Sequence, residues 1–151
     1  MNETNTPHES SDAALNVDLI EASFNLLAPR ADELVARFYD NLFAVAPGVR
    51  SLFPDDLAGH RRALLGAIGM IVNSIRSPEK LGPYLEGLGD RHVGYGAVEG
   101  HYDVVGSVLL TTMAEMAGAA WNDELQETWT SAFGVIKQTM LAGAEAHAQA
   151  A

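Results

Sequence analysis

The chain has 151 residues, a formal net charge of −11 and no cysteine. Its length suits one domain with a buried core, and its 48% apolar content excludes a disordered or low-complexity protein. The acidic charge argues against a nucleic-acid partner, because neutralising phosphates requires clustered Lys and Arg. The lack of cysteine excludes disulfides, thiolate zinc sites, iron–sulfur clusters and cysteine nucleophiles. Any metal must therefore be held by His, Asp or Glu, or arrive inside a bound group.

Residues 1–14 are polar and acidic, and they lack the basic and apolar regions of a signal peptide. We expect a disordered tail over residues 1–14 and a single domain over residues 15–151. The longest apolar run, residues 63–72, is too short for a membrane span, which requires roughly 20 residues. These features predict a cytoplasmic protein without a membrane partner. We expect it to be a monomer or a homodimer.

Apolar residues recur at helical spacing along this domain, and strand patterns are nearly absent. Asn16 or Asp18 is expected to cap the first helix. The expected segments are a helix from Val17, a helix from Pro29 that stops before Pro47, a turn over 47–53, a long helix over 54–76, a shorter helix from Pro78 toward Arg91, and two long helices over 99–116 and 123–148. These six helices and the turn predict an all-α fold, for which we expect a total of seven to eight helices.

Two histidines lie in the apolar stripes of neighbouring predicted helices. His60 comes three residues after Leu57 and four residues before Leu64 on the inner face of the long helix. His92 lies four residues after Leu88 in the stripe of the next helix. Both imidazoles are therefore expected to point inward, with no Asp or Glu on the same faces.

A single inward histidine is more often a core residue that bonds a backbone carbonyl than a metal ligand. Two such histidines favour a bound group, although no third side chain has the spacing that a protein-only metal site needs. Haem iron needs only one or two protein ligands, because the porphyrin supplies four nitrogens. The pattern therefore favours a haem pocket, with core histidines as the alternative. We expect His8, His101 and His147 to be exposed.

Two tyrosines are further candidates for this pocket. Tyr39 lies beside Phe38 in the second predicted helix, and Tyr102 shares an apolar stripe with Val105 and Leu109. A buried tyrosine hydroxyl usually needs a partner. Spacing alone leaves open whether each hydroxyl is satisfied in the core or is a donor in the pocket.

Three parts of the sequence support a family assignment. They are FYDNLF at 38–43 with PGVRSLF at 47–53, RHVGYG at 91–96 with HYDVVG at 101–106, and WTSAFGVI at 129–136. In this order and spacing they resemble the globin family, specifically the bacterial single-domain globins related to the haem domain of flavohaemoglobins. The resemblance covers residues 17–145 and implies a globin fold around haem b.

The resemblance implies roles for single residues that hold the haem, two of them on its proximal side. His92 matches the proximal histidine, the axial ligand of the haem iron. Tyr102 matches a tyrosine on the same side, and Phe53 matches the aromatic residue that wedges the haem. The glutamate that bonds the proximal histidine in flavohaemoglobins is replaced by Ala144, and the neighbouring Glu145 is turned away by about 100°. This departure lowers the expected basicity of the ligand, which counts against peroxidase-like or very fast dioxygenase chemistry.

The resemblance also implies a distal side. Tyr39 matches a tyrosine that donates a hydrogen bond to the gas ligand. His60 takes a position where many relatives carry glutamine, and it is expected either to hydrogen-bond the gas or to ligate the iron. Leu64 matches the apolar residue over the haem. Leu57, from the stripe of His60, and Val105, from the stripe of Tyr102, are expected to contact the haem as well.

Three functions follow as alternatives. The first is a haem-binding globin that reversibly binds O2, NO and CO, as in oxygen transport. The second is nitric oxide dioxygenation, a form of nitric oxide detoxification that needs a separate reductase as partner. The third is a haem-free globin-like sensor or interaction module.

Overall fold

The computed structural model describes residues 16–150, apart from the side chains of residues 147 and 150. Over this range the chain forms six α-helices, three short 3-10 helices and no strand. The α-helices are α1 (Val17–Leu27), α2 (Ala31–Val45), α3 (Ala58–Asn73), α4 (Pro78–Gly94), α5 (Glu99–Ala117) and α6 (Asp123–Ala150). The 3-10 helices are Ala28–Arg30, Pro47–Leu52 and Gly118–Ala120. The predicted tail over residues 1–14, with His8, and the side chain of His147 lie outside the described residues.

The all-α prediction is confirmed, but the six α-helices are fewer than the seven to eight predicted. The difference arises because three connections, after α1, α2 and α5, form only short 3-10 helices. The side chain of Asn16 accepts a hydrogen bond from the backbone N–H of Leu19 at 3.2 Å and so caps α1, as one of the two predicted caps.

The predicted long helix over residues 54–76 is shorter than expected at both ends. Its start is delayed because Oδ1 of Asp56 accepts a hydrogen bond from the N–H of Ala58 at 3.0 Å in the turn that precedes α3. Its end comes early, because a turn over residues 74–76 follows Asn73. Conversely, α4 was predicted to be the shorter helix, but its 17 residues exceed the 16 of α3.

The buried apolar side chains of the described residues form two clusters. The larger cluster joins α1, α2, α3, α5 and the start of α6, and it includes Phe38, Tyr39 and Trp129. The smaller cluster has Leu85 of α4, Tyr102 of α5 and Met140 of α6 at its centre. Side chains of α4 therefore belong to a different part of the core from most of α2 and α3.

Two glycines set the position of α4. A Cβ added at Gly89 would lie 1.8 Å from the carbonyl oxygen of Met140, and one added at Gly143 would lie 2.1 Å from the carbonyl oxygen of Glu86. The backbones of α4 and α6 thus approach more closely than any side chain at these positions would allow. Within the described range α4 has no comparably extensive packing against α3 or α5. Consequently α6, rather than α3, holds the helix that carries His92.

None of the described helices has the length and apolar character needed to cross a membrane.

Candidate functional site

His92 lies in the last turn of α4, where its Nδ1 is 2.7 Å from the carbonyl oxygen of Leu88. A carbonyl oxygen only accepts hydrogen bonds, so Nδ1 must carry the donated proton. In the neutral ring this leaves Nε2 with a free lone pair. Burial lowers the pKa of His92, and the charge of Arg91 acts in the same direction, against the effect of the Leu88 hydrogen bond. The neutral imidazole, which is the form that ligates a metal, is therefore favoured.

Two tyrosine rings surround His92. The ring centroid of Tyr95 lies 5.2 Å from that of His92, and the centroid of Tyr102 lies 6.0 Å from it. Tyr102 is buried, which raises the pKa of its phenol, and its hydroxyl has no hydrogen-bond partner among residues 16–150. Sequence reasoning missed Tyr95, although its place three residues after His92 in the segment 91–96 was a usable signal.

Among the described residues, no carboxylate of the last helix bonds His92. Ala144 stands half-buried at the position where the flavohaemoglobin pattern has glutamate, and Glu145 is exposed. The partner of Nδ1 is instead the backbone of the same helix. A neutral carbonyl polarises the Nδ1–H bond less than a carboxylate does. The lone pair of Nε2 is therefore less basic and donates less electron density to a metal.

Tyr39, in α2, faces α3 from the other side of the core. It is 5% exposed, and its hydroxyl donates a long hydrogen bond, 3.4 Å, to the carbonyl oxygen of His60. Burial raises the pKa of Tyr39 to about 12, against an opposing effect from the charge of Arg61. The phenol is thus protonated at neutral pH. Because its present hydrogen bond is long, the hydroxyl is free to donate to a better placed acceptor.

Phe53 brings Tyr39 and His60 together into one aromatic cluster. Its ring centroid lies 5.7 Å from that of Tyr39, 5.3 Å from that of His60 and 5.4 Å from that of Phe43, each in an edge-to-face arrangement. The imidazole of His60 is half-buried and forms no hydrogen bond within the described part of the chain. Both of its nitrogens are therefore available to a ligand.

The other predicted pocket residues are divided between the two apolar clusters. Leu57, Leu64 and Val105 are partly buried and pack against the larger cluster, which also contains Tyr39 and borders Phe53. Tyr102 lies in the smaller cluster, against which Leu88 of α4 packs. The structure thus brings Tyr39, Phe53 and His60 together, and Tyr102, the aromatic neighbour of His92, lies in the other cluster.

Neither His101 nor a cluster of acidic side chains contributes a ligand to this site among the described residues. His101, predicted to be exposed, is half-buried, and its Nδ1 accepts a hydrogen bond from the N–H of Val98 at the start of α5. Across residues 16–150 no three His, Asp or Glu side chains come together as ligands for a metal ion. An iron at this site would therefore need most of its ligands from a prosthetic group.

Comparison with known proteins identifies relatives over most of the chain. A flavohemoprotein of Rhodopirellula baltica is 32% identical over 114 residues, which are 74% of this chain and 28% of that protein. A flavohemoprotein of Bordetella parapertussis is 31% identical over 129 residues, which are 82% of this chain and 31% of that protein. The chain thus spans less than a third of the length of these relatives.

Solved structures share the fold. A bacterial globin from Campylobacter jejuni superimposes with a TM-score of 0.75 at 23% identity, covering 85% of this chain and 94% of that one. A flavohemoglobin from Malassezia yamatoensis, which holds FAD and haem, superimposes with a TM-score of 0.72 at 18% identity, covering 85% of this chain and 35% of that one. The sequence model of the globin family matches residues 36–140. The predicted globin fold is therefore confirmed, and the chain belongs to the globin family.

Proposed function

We propose that this chain is a haem-binding globin that reversibly binds O2, NO and CO, with His92 as the axial ligand of the iron. One observation carries the proposal: because Nδ1 of His92 donates a hydrogen bond to the carbonyl of Leu88, Nε2 of the neutral ring keeps a lone pair that can ligate a metal. Globins hold haem iron through such a proximal histidine.

The residues present fit haem b. His92 lies on α4 and Tyr102 in the smaller cluster, whereas Tyr39 belongs to the larger cluster and Phe53 and Leu64 pack against it. An apolar macrocycle matches the apolar lining on both sides, and His92 supplies the protein ligand that it needs. When bound, the haem supplies a ferrous iron whose open position takes diatomic gases.

The distal residues act on the gas ligand. The protonated hydroxyl of Tyr39 would donate a hydrogen bond to it, which would favour O2 over CO because O2 gains more negative charge when it is bound. Leu57, Leu64 and Val105 keep water away, and Phe53 packs against the prosthetic group. His60, whose nitrogens form no hydrogen bond with the described residues, would serve either as a second donor or as a distal ligand of the iron.

An optical spectrum of the reduced protein with and without CO tests the proposal. We expect a haem spectrum that shifts with CO, and we expect His92→Ala to lose stable haem or to change the spectrum. His101→Ala, at the start of α5, is the matched control and should keep the wild-type spectrum. If His92→Ala also keeps it, the ligand assignment is wrong. A colourless wild-type protein that takes up no added haem would favour the haem-free sensor or interaction module.

A second candidate function is nitric oxide dioxygenation with an external reductase. In that reaction NO and O2 combine, with one electron from the reductase, to give nitrate. It is favoured by the flavohemoprotein relatives, and the Malassezia yamatoensis protein holds FAD together with haem. Ala144, in place of the flavohaemoglobin glutamate, predicts a slower reaction than in those proteins.

Steady-state consumption of NO separates this candidate from simple gas binding. With NADH and a flavin reductase supplied, a dioxygenase consumes many equivalents of NO per haem and releases nitrate. Consumption that ends after about one equivalent, with the reductase shown to reduce the haem, would contradict it. Oxygen transport and a cytoplasmic location are parts of the first proposal, and the reductase partner belongs to the second.

A further inference from the structure

A cavity of about 200 Å³ lies where the first half of α2 meets the start of α3. It is separate from the aromatic cluster of Tyr39, Phe53 and His60. Six residues line it: Asp32, Val35, Ala58, Arg61, Arg62 and Leu65. Such a volume holds a small ion together with several waters, since a water takes about 30 Å³ in the liquid.

Within residues 16–150, the two arginines of this cavity have no protein partner. Neither guanidinium forms a hydrogen bond or an ion pair with any residue that the structure describes, and Asp32 forms no ion pair with either of them. The arginines on neighbouring elements do have partners. Arg30 and Arg37 bond Glu33, Arg50 bonds three backbone carbonyls, and Arg76 bonds Asp18 and Glu21. Unlike those arginines, Arg61 and Arg62 bond no other described residue, and they line a depression that is partly open to solvent, where Arg61 is half-buried and Arg62 is exposed.

We propose that this cavity binds a small monovalent oxyanion, held by the guanidinium groups of Arg61 and Arg62. The guanidinium fork donates two parallel hydrogen bonds to paired coplanar oxygens. Nitrate, nitrite and formate share that feature. Two positive charges and the carboxylate of Asp32 leave the lining with one net positive charge, which matches one negative charge better than two.

The position of the site connects it with the distal cluster. Val35 lies one helical turn before Tyr39 on α2, and Arg61 directly follows His60 on α3. The charge of Arg61 already acts on the phenol of Tyr39. A bound anion would offset this charge, so occupancy of the cavity would change the electrostatic environment of the Tyr39 hydroxyl. The inference does not depend on haem binding, because the cavity is built from protein residues alone.

Titration of the purified protein with sodium nitrate at constant ionic strength tests the proposal. The ¹⁵N resonances of the arginine side chains are the direct readout, and calorimetry gives the affinity. We expect saturable shifts confined to Arg61 and Arg62. Nitrite and formate should compete with nitrate, whereas sulfate should compete weakly because of its second charge. Equal competition by sulfate and nitrate would show that charge alone, and not a shaped site, attracts the ion.

Three variants in the cavity should change the affinity for nitrate, two by lowering it and one by raising it. Arg61→Gln and Arg62→Gln should each weaken nitrate binding by roughly tenfold or more, the scale of a hydrogen bond to a charged group. Asp32→Asn should tighten it severalfold, because a like charge is removed. Arg37→Gln, on α2 but outside the cavity, is the control and should leave the affinity unchanged. The proposal is overturned if wild-type shifts do not saturate, or if all four variants, shown by circular dichroism to be folded, bind nitrate as the wild type does.

Discussion

The carbonyl oxygen of Leu88 accepts a hydrogen bond from Nδ1 of His92, one turn further along the same helix, at 2.7 Å. The hydrogen bond that orients the imidazole therefore comes from the backbone of α4 and not from a side chain of another element. It follows that the position of Nε2 depends on how α4 is held, and α4 is held by its close backbone contact with α6 at Gly89 and Gly143.

We predict that Gly89→Ala lowers both the stability of the protein and its affinity for haem. The new Cβ would lie 1.8 Å from the carbonyl oxygen of Met140, so α4 must move away from α6. Overpacking of this kind costs about 1–3 kcal/mol, which outweighs the helix propensity gained, about 1 kcal/mol. Urea denaturation measures the first effect, and haem transfer to an acceptor globin measures the second.

Gly87→Ala is the matched control for this prediction. It lies in the same helix, and its Cβ would meet only the guanidinium of Arg91 at 3.6 Å, which is an ordinary contact with a flexible side chain. It should be neutral or stabilising. Equal stabilities for the two alanine variants would show that the α4–α6 approach does not position α4.

The histidine-bearing helices could be predicted because spacings of three and four residues place side chains on one helical face. That rule gives no information about what each face packs against. The contact of Gly89 with Met140 joins positions far apart in the chain, and no local pattern marks it. The cavity at Arg61 was missed for the same reason. The start of α3 was missed because Pro54 resembles a helix start, while the side chain of Asp56 begins the helix later.

Ser23→Ala should lower the free energy of unfolding by about 1–3 kcal/mol, because a buried donor is left without its acceptor. Nε1 of Trp129 donates to the hydroxyl of Ser23 at 2.9 Å, and both side chains are buried. Thermal and urea denaturation measure the loss. Thr139→Ala, which removes an exposed hydroxyl that bonds the carbonyl of Val135, should change stability by less than about 0.5 kcal/mol. In a double-mutant cycle with Trp129→Phe the two losses should not add.

The stability of the protein should fall between pH 10 and about pH 12 in a way that depends on Tyr39. Burial raises the pKa of its phenol to about 12, from 10 in the unfolded chain. Below pH 10 the phenol of Tyr39 stays protonated in both the folded and the unfolded state, so its contribution to stability does not change with pH. As the pH rises further, the unfolded state loses its proton first, so unfolding becomes more favourable until the folded phenol ionises too.

Absorbance of the tyrosinate ions tests this alkaline behaviour. The wild type should have a phenol that ionises near pH 12 and that Tyr39→Phe lacks. The variant should also lose less stability between pH 10 and pH 12. A wild type in which every phenol ionises near pH 10 while the fold persists would contradict the burial of Tyr39.

Tyr39→Phe should also speed the loss of O2 from the ferrous protein. The variant keeps the ring contact with Phe53 and removes only the hydroxyl, which we assign as donor to the gas ligand. One hydrogen bond corresponds to a rate increase of about tenfold. Stopped-flow displacement of O2 by CO measures the rate, while the rate of CO loss, for which the bond matters little, is the internal control. An unchanged O2 rate would remove Tyr39 from the distal role.

His60→Ala decides between the two roles of the distal histidine. If Nε2 or Nδ1 of His60 ligates the iron, the reduced wild type should have a six-coordinate, low-spin spectrum, and the variant should become five-coordinate and bind CO faster. If His60 only donates a hydrogen bond, both spectra should be five-coordinate and high-spin, and the variant should lose O2 faster. The half-buried imidazole, free of hydrogen bonds among the described residues and held against Phe53 at 5.3 Å, is compatible with either position. A variant identical to the wild type in spectrum and in O2 release would exclude both roles and leave Tyr39 as the distal donor.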